Sequence, residues 1–106
     1  MNRRSYLIAS ALAALPAMAA QHPAVTEGSG SKGRWISIAS DGYRLAVHER
    51  GAPWLLDFNR DPAGRQNLIS SPDHLDVVRR LAQELASYCK QQPPAPQLME
   101  TIDALA

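Results

Sequence analysis

Residues 34 to 49 read RWISIASDGYRLAVHE, two apolar-alternating runs on either side of Asp41-Gly42. Asp-Gly suits a two-residue type I′ hairpin turn, in which both central residues take positive φ. Folding the runs about that turn sets Ser40 against Tyr43, Ile38 against Leu45, Ile36 against Val47 and Arg34 against Glu49. This register gathers Ile36, Ile38, Leu45 and Val47 on one face and predicts an ion pair, Arg34 with Glu49, at the open end. The other face takes Ala39 with Arg44, Ser37 with Ala46 and Trp35 with His48. A slip of one residue would scatter both sets.

Downstream, Gly51 and Pro53 turn the chain, and Trp54 to Phe58 reads as a third strand, antiparallel to the second. Asn59 to Gly64 is dense in turn formers. Ser71-Pro72-Asp73 then reads as a helix start, with serine as N-cap, proline in the first turn and Asp73 and Asp76 complementing the dipole. Leu75, Val78, Leu81, Ala82, Leu85 and Cys89 recur at steps of three or four, one stripe along a helix running to about Lys90. Arg79, Gln83 and Glu84 belong to its wet face. Gln91 to Pro96 ends it in a proline-rich spacer, and Leu98 to Ala106 has room for a short helix within a tail of residues 91–106. The expected fold is α+β. A small antiparallel sheet of three strands, whose exposed edges would take a fourth strand or a larger neighbour, carries one amphipathic helix on one face.

Upstream, Gln21 to Gly33 (QHPAVTEGSGSKG) is rich in Gly, Ser and charge without apolar period, and residues 20–33 read as a flexible linker. Residues 1–19 have the layout of an export signal. Arg3 and Arg4 give a positive start, Tyr6 to Leu15 is uncharged and apolar, and Ala17 and Ala19 offer small residues to a signal peptidase. Arg3-Arg4-Ser5-Tyr6-Leu7 resembles the twin-arginine signal, with Ile8 where a lysine often closes it; an ordinary secretory signal fits as well. The apolar run is too short for a stable membrane anchor, so the chain is expected to be periplasmic or secreted.

The whole chain has 106 residues, 11 Lys and Arg against 10 Asp and Glu. Cleavage after Ala19 would remove two arginines and leave one acid in excess. Such a balance gives no general attraction to nucleic acid or an anionic membrane. A single cysteine, Cys89, cannot form an internal disulfide.

Tyr43-Arg44-Leu45, a turn, Leu55-Leu56-Asp57-Phe58, Asp61-Pro62 and Asn67-Leu68, then a helix, resemble in order and spacing the C-terminal region of the sulfatase family, the arylsulfatases and N-sulfoglucosamine sulfohydrolases among them. There a hairpin with YKL precedes LYDLxxDPxExxNL, and an amphipathic helix closes the domain. The resemblance covers residues 34–90. Leu56 stands where the family commonly has tyrosine, Gly64 where it has glutamate, Ala39 where an arginine often precedes the turn, and Arg44 for lysine. The motif residues also have structural work to do. Asp57 is placed to accept backbone hydrogen bonds from the turn, Pro62 stiffens it, Asn67 satisfies backbone groups at its exit and Leu68 returns to the core.

The resemblance implies a fold that, in full-length relatives, packs on a sulfate-ester hydrolase domain and borders its substrate cleft. It also implies that the formylglycine, made from a C/S-x-P/A-S-R motif, and the calcium beside it belong to a large N-terminal domain. This chain has no such motif, since Cys89 is followed by Lys90-Gln91-Gln92. No catalytic residue, metal or cofactor is therefore assigned. The expectation is an exported, truncated sulfatase-like protein without hydrolase activity of its own, whose partners are a sulfatase catalytic domain or a sulfated glycan. By analogy, Arg44 and His48 are the glycan-contact candidates. The alternative is a stand-alone periplasmic module that binds an anionic glycan or a partner protein.

Other constellations read as structural. Asp73 and Asp76 explain themselves at a helix start without a metal on His74. Cys89 lies on the apolar stripe, as a small core residue does. Trp35 and Trp54 could cover a sugar ring, though at this size tryptophans more often serve as core or docking surface.

Overall fold

The structure is a computed structural model and describes residues 24–106. The export-signal reading of residues 1–19, with Arg3, Arg4, Ala17 and Ala19, lies outside the described residues. Strands β1 (Ala24–Gly30), β2 (Gly33–Ser40), β3 (Tyr43–His48) and β4 (Trp54–Asp57) form one antiparallel sheet in the order of the chain. A 3-10 turn at Pro72–His74 leads into helix α1 (Leu75–Cys89), and helix α2 (Pro96–Leu105) follows. Both helices lie on one face of the sheet, giving the two-layer α+β fold expected.

The central hairpin has the predicted register, from Ser40 opposite Tyr43 to Trp35 opposite His48. Asp41 and Gly42 take φ values of 55° and 85°, as a type I′ turn requires. Ile36, Ile38, Leu45, Val47 and Leu55 are buried against Val78, Leu81, Ala82 and Leu85 of α1. Arg80 of α1 reaches back to the turn, its Nη1 3.1 Å from Asp41 Oδ2.

Five expectations are corrected. Residues 24–30 are not linker but strand β1, paired along its length with β2 from Ala24–Ala39 to Gly30–Gly33. Its backbone supplies the edge protection that three strands lack, Val25 packs on the core, and Gly28 lies under the Trp35 indole. A Cβ on Gly28 would stand 2.5 Å from Trp35 Cζ2, so only glycine fits there without displacing the ring.

The segment after α1 is more than a tail. Leu98 and Ile102 of α2 are buried in the same core, and Pro96 sits in the first turn of α2, where its missing N–H costs nothing. The packed unit therefore runs from residue 24 to 106 rather than from 34 to 90.

The remaining corrections are local. Arg34 and Glu49 do not pair through their side chains; Glu49 Oε1 accepts the Arg34 backbone N–H at 2.6 Å. Ser71 does not cap the helix with its hydroxyl, which instead meets His74 Nδ1 at 2.9 Å. Leu75 leaves the buried stripe and is 53% exposed, because the 3-10 turn places the first residue of α1 beyond the sheet.

Candidate functional site

Strand alternation divides the sheet into two unlike faces. The face away from the helices carries Thr26 and Gly28 from β1, Trp35, Ser37 and Ala39 from β2, Arg44, Ala46 and His48 from β3, and Trp54 and Leu56 from β4. Among the described residues no element covers it. Thr26 and Ser37 join hydroxyls across β1 and β2 at 2.8 Å, whereas Arg44 Nε and His48 Nδ1 on the same face are buried without a hydrogen-bond partner.

One end of this face is hollow. A trough of about 420 Å³ has Ala46 as its floor, Trp35, Trp54 and Leu56 as walls, and His48 and Lys32 toward the β1–β2 turn. Ala46 pairs with Trp54, and Trp35 pairs with His48, two residues further along β3. Strand spacing and rise put the two tryptophan Cα atoms roughly 12 Å apart on a diagonal. The small Ala46 side chain between them makes the hollow.

The charges of this face have one sign. Lys32 lines the trough, Arg50 donates from Nη2 to the Ser31 carbonyl at 3.2 Å, and Arg44 lies toward the other end. Glu27 and Asp57 alternate onto the helix side by register, Asp41 pairs with Arg80 of α1, and the Glu49 carboxylate is held by the Arg34 backbone N–H beside the β1–β2 turn. Burial holds the His48 imidazole below its ordinary 6.5, and the Lys32 ammonium lowers it further, against a backbone hydrogen bond at Ala52. His48 is thus a neutral polar group at neutral pH and Lys32 the trough's cation.

Arg44 and His48 share the open face, as the register requires, but the structure does not bring them together. They stand four residues apart on β3, roughly 13 Å by strand rise. His48 lines the trough, whereas the Arg44 guanidinium lies 5.9 Å from the centre of the Phe58 ring. Lys32 is the trough residue that sequence reasoning missed, because it sat inside a segment read as linker.

The other motif residues build the loop after β4. Asp57 is buried, and its Oδ1 accepts the backbone N–H groups of Asn59 and Arg60 at 3.0 and 3.3 Å. Asp61 repeats the device one turn on, its Oδ2 accepting from Arg65 and Gln66 at 2.8 and 2.9 Å. Pro62 sits exposed in that turn. Asn67 Oδ1 accepts the N–H of Leu55 and of Ile69, and Leu68 donates its N–H to the Leu55 carbonyl at 2.8 Å while its side chain packs on the core. Tyr43 meets the His74 ring edge-on at 6.1 Å between centroids.

Cys89 closes the buried stripe of α1 at 3% exposure. Burial, then Glu27 and Asp103, push its thiol above the ordinary range. Its place in the fold is that of a small core side chain on the apolar stripe. Among the described residues, no group of three or more His, Cys, Asp or Glu is placed to hold a metal ion, and no helix is long and apolar enough to cross a membrane. No known family's sequence profile matches the chain, and no curated protein matches it.

Proposed function

We propose that the chain is an exported, non-catalytic module of the sulfatase C-terminal type, which packs on a sulfate-ester hydrolase domain and borders its substrate cleft. The observation that carries this reading is the loop from Leu55 to Leu68. Asp57, Asp61, Asn67 and Leu68, the residues on which the resemblance rests, each hold backbone or core in place. A motif kept for its architecture supports a scaffold rather than a reaction centre. The open sheet face supplies the docking side, since it presents half-buried Trp35, Trp54 and Leu56 on the side the helices leave free.

The test is complementation. A sulfatase catalytic domain prepared without its own C-terminal subdomain is mixed with this chain and melted. The reading predicts a higher melting temperature for the mixture and no arylsulfate turnover by the chain alone. An unchanged melt, or turnover by the chain that Cys89→Ala abolishes, contradicts it.

The stand-alone module is favoured by one observation of its own, the trough between the two indoles. It belongs to the same face.

A further inference from the structure

We propose that the trough between Trp35 and Trp54 is a subsite for an anionic pyranoside, a sugar ring bearing a carboxylate or a sulfate. The inference rests on the reading of the open face as the working side of the module and names what one end of it holds.

The shape comes first. A concave site of about 420 Å³ with mostly apolar walls and a few polar groups is the usual form of a small-ligand site. Its walls are two indoles on different strands, and its floor is the methyl of Ala46. Flat aromatic walls suit the C–H faces of a pyranose, which present apolar surface while the hydroxyls point to the rim. Tryptophan combines such a face with an N–H donor.

The charge comes second. Lys32 lines the trough, Arg44 and Arg50 lie on or beside the same face, and Glu27 and Asp57 turn to the other side. Neutral His48 adds a hydroxyl-compatible polar group beside the cation. This one-signed field favours an anion and disfavours a second copy of the chain, which would set lysine and arginine against lysine and arginine.

Titrating the full chain by tryptophan fluorescence separates the possibilities, because both tryptophans wall the trough. The probes are hexasaccharides of hyaluronan (carboxylate alone), heparin (sulfate and carboxylate) and cellulose (neutral). Saturable quenching or a shift with hyaluronan or heparin, and at least about tenfold weaker binding of the neutral sugar, is expected from the loss of a charge-assisted contact. Response to both anionic probes assigns a carboxylate-competent site, and response to heparin alone a sulfate site. Exposed Lys32→Ala, which leaves the core untouched, should weaken binding about tenfold and flatten its salt dependence. Equal binding of the neutral sugar, no response to either anionic probe, or an unaffected Lys32→Ala overturns the subsite. If complementation of the catalytic domain survives that result, the module reading stands without it; if sugar binds and complementation fails, the reverse holds.

Discussion

Asn67 closes the free edge of β4 by acting on Leu55: its Oδ1 accepts the Leu55 backbone N–H at 2.9 Å. Its Nδ2 donates to the Pro53 carbonyl at 3.1 Å, and the same Oδ1 accepts from Ile69 at 3.0 Å. One side chain thus occupies places a fifth strand would take, and the edge is blunted against pairing with other chains. Asn67→Ala should cost about 2–3 kcal/mol, because half-buried backbone groups lose their partners. Asn67→Asp keeps the acceptor and should cost less. Urea unfolding of the two variants checks the order; equal losses would mean that the acceptor contributes little.

Helix α2 belongs to the core, with Ile102 fully buried and Leu98 nearly so. Ile102→Ala should lower stability by about 2–5 kcal/mol, the range for a large side chain removed from a packed interior. A chain ending at Gln92 should lose its cooperative melt. A normal melt from the shortened chain would show that α2 is dispensable.

Cys89 reports on opening. The thiol is buried, and burial raises its pKa above the ordinary range, with Glu27 and Asp103 adding to the effect. Its reaction with an aromatic disulfide at neutral pH should therefore be slow and should rise in step with unfolding in urea. Rapid stoichiometric labelling of the folded chain would place Cys89 at the surface.

His48 gives stability a pH dependence. Burial, and then Lys32, hold its folded pKa below 6.5, so the unfolded chain binds the proton more readily. The native state has this contribution in full above 6.5 and loses it as pH falls from there through the lower folded value. The difference in urea midpoint between about pH 7.5 and pH 5 should shrink in His48→Gln, after allowance for groups that titrate in both proteins. An NMR titration of the imidazole with a midpoint above 6.5 would reverse the sign.

The hairpin was legible because two local signals agreed. Asp41-Gly42 demands positive φ at both positions, and period-two alternation leaves one register that buries Ile36, Ile38, Leu45 and Val47. Helix α1 was legible from its stripe, except at Leu75, where a 3-10 turn changes the phase. Strand β1 was not, since in AVTEGSG only Val25 joins the core and most of its attachment is backbone pairing, with Thr26 adding one hydroxyl bond to Ser37, none of which composition encodes. Losing β1 also lost Lys32, the trough's cation. The Arg34–Glu49 pair failed for a related reason: a backbone N–H lay nearer to the carboxylate than the guanidinium did. The short helix near the C-terminus was legible from Leu98, Ile102 and Leu105 at helical spacing, but the prolines before it hid that it packs into the core.

The open sheet face is the working side of the proposed module. Trp35 and Trp54, the only tryptophans of the chain, both stand on it, so their two indole N–H signals in a nitrogen-15 spectrum watch that face alone. On addition of the sulfatase catalytic domain lacking its own C-terminal subdomain, both signals should shift or broaden, while the amides of Arg79 and Gln83 on the outer side of α1 stay in place. Silent indoles with shifts along α1 would put the partner on the helices and contradict the account.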